Sequence, residues 1–139
     1  EARKRRPELT VTDLKNLHSF WETGTGLVSE MLLALIPVRE PWQVFAWLPF
    51  GGLNDCPGAE GMMAVAKYWY EKYGAVPVAL NHDELEFLLP HSLNPSQAAE
   101  AAEEHVLFCP DLLNPEGGLN EEKLAKILSR LRCWYFWWD

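Results

Sequence analysis

The sequence predicts an α+β domain: a mostly antiparallel four-stranded sheet of split βαβ order, with helices on one face. Two observations predict it. Apolar residues alternate at period two over residues 42–48, 76–80 and 85–89, and recur at helical spacing elsewhere. The chain then closes on Trp134-Tyr135-Phe136-Trp137-Trp138 before Asp139, an aromatic run that aggregates in water unless buried. In a strand, Trp134, Phe136 and Trp138 point to one side and Cys133, Tyr135 and Trp137 to the other. Both faces therefore need cover, and the run is expected as an interior rung of the sheet between helical layers.

Taken in order, residues 1–8 read as a flexible basic arm carrying Arg3, Lys4, Arg5 and Arg6. Residues 9–139 read as one domain, long enough to bury a core without staples. Thr12 is placed to cap a helix in which Leu14, Leu17, His18 and Trp21 share a face, with Gly24 as the stop. Residues 27–36 are apolar and read as helix or strand, with propensity favouring helix, until Pro37 and Pro41 break the chain. These N-terminal segments are expected to cover the sheet's open face.

Residues 42–48 read as a buried strand ending at Pro49, and the glycines 51, 52 and 58 mark a loop. Met62, Val65, Ala66, Trp69 and Tyr73 form one face of a helix over about residues 60–73, with Gly74 just past its end. Val76, Val78 and Leu80 pair with Leu85, Phe87 and Leu89 as a hairpin, turned by Asn81-His82-Asp83. Pro77 lacks an N–H and puts the first hairpin strand at a sheet edge. Asn94, Pro95 and Gln97 supply a cap, a first helical position and a capping-box partner for a helix bearing Ala98, Ala102, Val106 and Cys109. Leu119 and Leu124 clasp an Asn120 cap, and Leu124, Ile127, Leu128 and Leu131 face inward on the last helix. Arg130 and Arg132 suit its C-terminal dipole. From Trp42 the order is β-α-β-β-α-α-β, the ferredoxin-like split βαβ order with one extra helix.

The formal charge of −8 understates the acidity of the body. Without residues 1–6, 8 basic and 19 acidic side chains remain, a net of −11. Such a body repels nucleic acid and attracts basic partners, and four cations in a tail do not make a nucleic-acid site. Cys56, Cys109 and Cys133 are an odd set without repeated spacing, which disfavours a disulfide framework and suits a reducing cytoplasm. No apolar run reaches membrane-spanning length. Gly51-Gly52 lacks the Lys-Ser/Thr of a phosphate loop.

Several motifs carry a resemblance: Pro41-Trp42 through Phe45-Ala46-Trp47, Gly51-Gly52 with Asn54-Asp55-Cys56-Pro57, Trp69 before Tyr73-Gly74-Ala75, Phe108-Cys109-Pro110-Asp111, and the terminal run to Asp139. Over about residues 37–139 the chain resembles the bacterial family catalogued as domain of unknown function 4253. The resemblance implies a bacterial cytoplasmic domain and no settled activity, cofactor or catalytic residue.

Two chemistries are conceivable from the residues. His105 and Cys109 stand four apart on one prospective helix face, and with Cys56 and either Asp55 or Asp111 they have the donor types of a zinc site. The same Cys56, His105, Cys109 and Asp111, or His82 with Asp83, contain the parts of a thiol hydrolase. Against this, no Cys-x-x-Cys or His-Glu-x-x-His pattern occurs, and free cysteine is commonly a small buried hydrophobe. No cofactor is favoured, with zinc as the alternative. Asn54, Asp55, His82, Asp83 and Asp139 are binding candidates; His82 is most simply a solvated turn residue. Asp139 puts negative charge beside a buried strand, to be met by a cation, a helix N-terminus or solvent. The expectation is a non-catalytic interaction domain for a protein partner, a basic one as toxin-neutralising immunity proteins bind; the alternative is a small metal- or thiol-dependent hydrolase.

Overall fold

The computed structural model describes residues 7–22, 24–113 and 118–139, so the basic run at residues 3–6 lies outside the described residues. Helix α1 (Val11–Asn16) is followed by a 3₁₀ segment (Pro41–Ala46), α2 (Ala59–Tyr73), β1 (Val76–Leu80), β2 (Glu84–Leu88) and α3 (Pro95–Phe108). A short 3₁₀ turn (Pro110–Leu112), α4 (Glu121–Leu128) and β3 (Cys133–Trp137) complete the chain. The sheet is an antiparallel three-stranded one in the order β1-β2-β3. The architecture is α+β, but the expected fourth strand and the split βαβ order are absent among the described residues.

The missing strand is residues 42–48. Their apolar residues fit period three as well as period two, since Trp42, Phe45 and Leu48 are three apart. Pro41 presets the first helical position, and the Gln43 carboxamide oxygen accepts from the Arg39 and Glu40 N–H groups, 3.1 and 3.0 Å away. Phe45 is consequently buried while Ala46 and Trp47 are exposed. With that strand gone, β3 is an edge strand in pairing order, not an interior rung. It is nonetheless covered on both faces over most of its length, although Trp137 at its end stays 37% exposed, so the terminal aromatic run is not wholly buried as expected.

On one face Leu85, Phe87, Trp134 and Phe136 pack with Met62, Ala66 and Trp69 of α2, Ala98, Ala101, Ala102 and Phe108 of α3, and Leu124 and Leu128 of α4. The alanines of α3 allow close approach, and the Asn94 cap with Gln97 starts the helix as the sequence dictates. Gly74, at φ 76°, closes α2 in the left-handed region that a side chain disfavours. Lys72 ties α2 to α3 through Glu100 and Glu104, each 2.6 Å away, and the Trp69 indole N–H donates to Glu104 at 2.9 Å. Among the described residues no helix is long and apolar enough to cross a membrane.

The other face is covered by a strap, residues 7–22, as the need for two-sided cover required. Thr10, not Thr12, caps its helix: the Asp13 N–H donates to Thr10 Oγ1 at 3.3 Å and the Thr10 N–H to Asp13 Oδ2 at 2.8 Å. The helix ends at Asn16, six residues long, because Leu17 turns extended to enter a buried cluster with Leu88 and Cys133. Residues 27–36, expected as a helix or strand, form neither beyond one bridge, Trp21 to Val28. Without a surface to face, their apolar side chains have nothing to fix a regular backbone.

Polar groups lock the strap down. Arg132 reaches Asp13 in a two-pronged ion pair, Nε to Oδ1 at 2.6 Å and an outer nitrogen to Oδ2 at 2.7 Å. Hydrogen bonding to Arg132 holds the Asp13 carboxyl well below the usual range. Arg132 therefore serves the strap, not the dipole of α4. Glu86, fully buried in β2, accepts from the His18 and Ser19 N–H groups at 2.9 and 2.7 Å. These donors satisfy a carboxylate that the alternation of β2 had placed on a polar face.

Candidate functional site

Three of the motifs that are far apart in sequence, residues 51–57, 108–111 and 134–139, meet at one corner, where β3 runs out. Gly51, Gly52 and Asn54 all have φ between 52° and 78°, coiling the loop tightly. The Gly52 N–H donates to the Cys56 and Pro57 carbonyls at 3.0 and 3.2 Å, and the Cys56 N–H to the Leu53 carbonyl at 3.0 Å. This brings Asn54 outward, where its side-chain amide donates to the Asp139 carbonyl oxygen. The Asp139 N–H in turn donates to Asp111 Oδ2 at 3.2 Å, and the Cys109 thiol donates to the Trp137 carbonyl at 3.0 Å. Beneath them Trp138 packs on Phe50 and Phe108, ring centroids 5.8 and 5.3 Å apart.

Asn54, Asp55, Asp111 and Asp139 are all exposed here. Asp111 and Asp139 place carboxyl groups at this corner over the aromatic floor of Trp138, Phe50 and Phe108, and Asp55 follows Asn54 in the adjoining loop. Gly51 sets the loop's shape: a Cβ there would lie 2.0 Å from the Pro57 carbonyl oxygen, whereas at Gly52 the nearest atom is 3.8 Å away. Both have φ 78°. Gly52→Ala is thus expected to cost the dihedral penalty alone, about 1–2 kcal/mol, and Gly51→Ala clearly more. Urea unfolding of both variants checks this, and equal losses would contradict the close approach.

The nucleophiles lie elsewhere in character. His105 is fully buried among Trp69, Trp134 and Phe136, with centroids 5.2, 4.4 and 4.7 Å from its ring. Its Nδ1 lies 2.6 Å from the Ala101 carbonyl oxygen, so the proton sits on Nδ1, and burial pulls the ring down to about 3. Cys56 and Cys109 are buried free thiols; burial raises both, Cys109 to about 11. A nucleophile needs the thiolate and access to substrate, and both thiols are held protonated and covered. Among the described residues no three His, Cys, Asp or Glu side chains are grouped to hold a metal. His82 and Asp83 stand in the hairpin turn, where the Asn81 carboxamide oxygen accepts from the Asp83 and Glu84 N–H groups at 3.0 and 2.8 Å.

Sequence reasoning grouped Asp55 and Asp111 with Cys56, His105 and Cys109 as a possible metal or thiol cluster, and named Asn54, Asp55 and Asp139 as binding candidates, but did not join Asp111 to Asn54 and Asp139. Their joint appearance in the recognisable motifs was the available signal. It also missed the polar set on the strap side, where the Tyr135 hydroxyl donates to Glu84 at 2.7 Å and His18 Nδ1 lies 3.1 Å from the same oxygen. Neither spacing nor composition announces a contact between residues 18, 84 and 135.

No curated protein and no solved structure was found to match the chain. Residues 32–139, which hold the sheet, the three larger helices and the corner just described, match the family described as Domain of unknown function (DUF4253), and the chain belongs to that family.

Proposed function

We propose that the protein is a non-catalytic interaction module that receives a basic segment of a protein partner at the corner formed by Asn54, Asp55, Asp111 and Asp139. The observation that carries this reading is the convergence of three of the resemblance-bearing motifs, residues 51–57, 108–111 and 134–139, at one exposed corner, while the thiols of two of them, Cys56 and Cys109, are buried, as is the nearby His105. Carboxylates held on a rigid floor cost little to order on binding and attract cationic side chains over a distance set by salt. The body's net negative charge speeds the encounter, as an immunity-like role would require. Three unpaired thiols suit a reducing compartment, the cytoplasm in our reading. The hydrolase reading draws no support from covered thiols of raised pKa.

The test is affinity capture from a lysate of the encoding organism at graded ionic strength, comparing the wild type with a variant carrying Asp55→Asn, Asp111→Asn and Asp139→Asn. A specific partner should be retained at low salt by the wild type and lost, at least tenfold, by the variant, with unchanged circular dichroism. Equal recovery by both proteins would refute the assignment of this corner.

A further inference from the structure

The strap is anchored at one end and tethered at the other by chain that is mostly exposed, with Ile36 and Val38 half-buried near its end. Residues 30–38 have no regular structure, and Leu32, Leu33 and Leu35 are 98%, 102% and 99% exposed. Three leucines standing fully in water contribute nothing to a single copy and favour association. On either side, however, the chain is well held. Ser29 donates to the Phe20 carbonyl at 3.0 Å, and beyond the tether Pro41 and Phe45 are buried.

We infer that the strap exchanges between two copies of this chain. The sheet face carrying Leu88, Glu86, Arg132 and Cys133 is a receptor for residues 8–20, and none of its contacts depends on which copy supplies them. Arg132 takes the Asp13 carboxylate and the Glu8 carbonyl oxygen, Glu86 takes two successive N–H groups, and Leu17 fills the cluster with Leu88 and Cys133. Exchanging an identical element is a low-cost route to a dimer, because every contact made in one copy is remade in the pair. What differs is the tether. In the exchanged pair two tethers pass each other between the bodies, so that Leu32, Leu33 and Leu35 of each cover those of the other. An open hollow of about 540 Å³ lined by Val38, Trp42, Trp47 and Met63 adjoins the tether and offers apolar surface to the same side chains. This inference is independent of the acidic corner.

Three measurements on the full chain decide it. By light scattering at about 100 µM the wild type is a dimer whose melting temperature rises with concentration, and Leu32→Ser, Leu33→Ser, Leu35→Ser together give a folded monomer. Asp13→Arg alone sets two cations together, and Arg132→Asp alone two carboxylates, so each variant by itself melts about 5 °C or more below the wild type. Co-expressed, they form a dimer in which each strap meets an opposite charge on the other copy, and melting returns close to that of the wild type. A monomeric wild type, a dimer indifferent to the leucine substitutions, or a co-expressed pair no more stable than its separate members would each overturn the exchange.

Discussion

Alanine in place of Trp69 is expected to cost about 3–5 kcal/mol of stability, the range for emptying a large aromatic site. Trp69 packs on Phe87, Phe108, Trp134 and Phe136 with ring centroids 5.0–5.6 Å away, joining α2, β2, α3 and β3. Removing it opens a cavity between elements whose backbones are already fixed by the sheet, and so limits collapse. It also takes a donor from Glu104. The whole stability of a domain this size is about 5–15 kcal/mol, so this loss is a large share of it. Trp47→Ala, at a site 61% exposed, should change stability by no more than about 0.5 kcal/mol. Urea unfolding followed by far-ultraviolet circular dichroism gives both values; a loss below about 1 kcal/mol at Trp69 would show that this junction does not organise the core.

Acidification is expected to destabilise the protein through His105 well before its carboxylates titrate. Burial holds the folded imidazole at about 3, against 6.5 when exposed in the unfolded chain. The contribution is therefore complete above pH 6.5. As pH falls below that value the unfolded state binds a proton that the folded state refuses, and stability is lost until the folded group itself titrates near 3. The limiting slope is about 1.4 kcal/mol per pH unit, or about 2 kcal/mol between pH 6.5 and 5. Asp13 and Glu104 have lowered values, so their contributions are lost only as pH falls below the ordinary carboxylate values of 3.8 and 4.5. His105→Gln keeps a donor for Ala101 and removes the titration, so its stability should be nearly flat over the same interval. Parallel profiles for wild type and variant would place the acid-sensitive group elsewhere.

Both effects arise from side chains that the sequence marked as core or as a site without distinguishing the two. His105 and Cys109 share a helix face in either reading, and four-residue spacing is the same for a metal pair as for two packed residues. Only the aromatic enclosure, supplied by Trp69 from α2 and by Trp134 and Phe136 from β3, decides that the imidazole is neutral and inward. Residues 42–48 were ambiguous for a similar reason. A mostly apolar seven-residue stretch fits two periods, and the choice fell to Pro41 and to the Gln43 carboxamide, whose bonds to Arg39 and Glu40 are visible only in the folded backbone.

The sequence by itself determined what acts within about four residues: the Asn94 cap with Gln97, the left-handed Gly74, the Asn81 turn, and the edge position of β1 through Pro77. It also demanded cover for both faces of Cys133–Trp137. Hydrogen bonds and backbone preferences at that range do not depend on the rest of the chain. The tertiary structure alone decided which cover was used, that Glu86 would be buried beneath His18 and Ser19, and that Asn54, Asp111 and Asp139 would meet. Those contacts join residues 28 to 85 apart, and they exist only once apolar burial has brought the distant elements together.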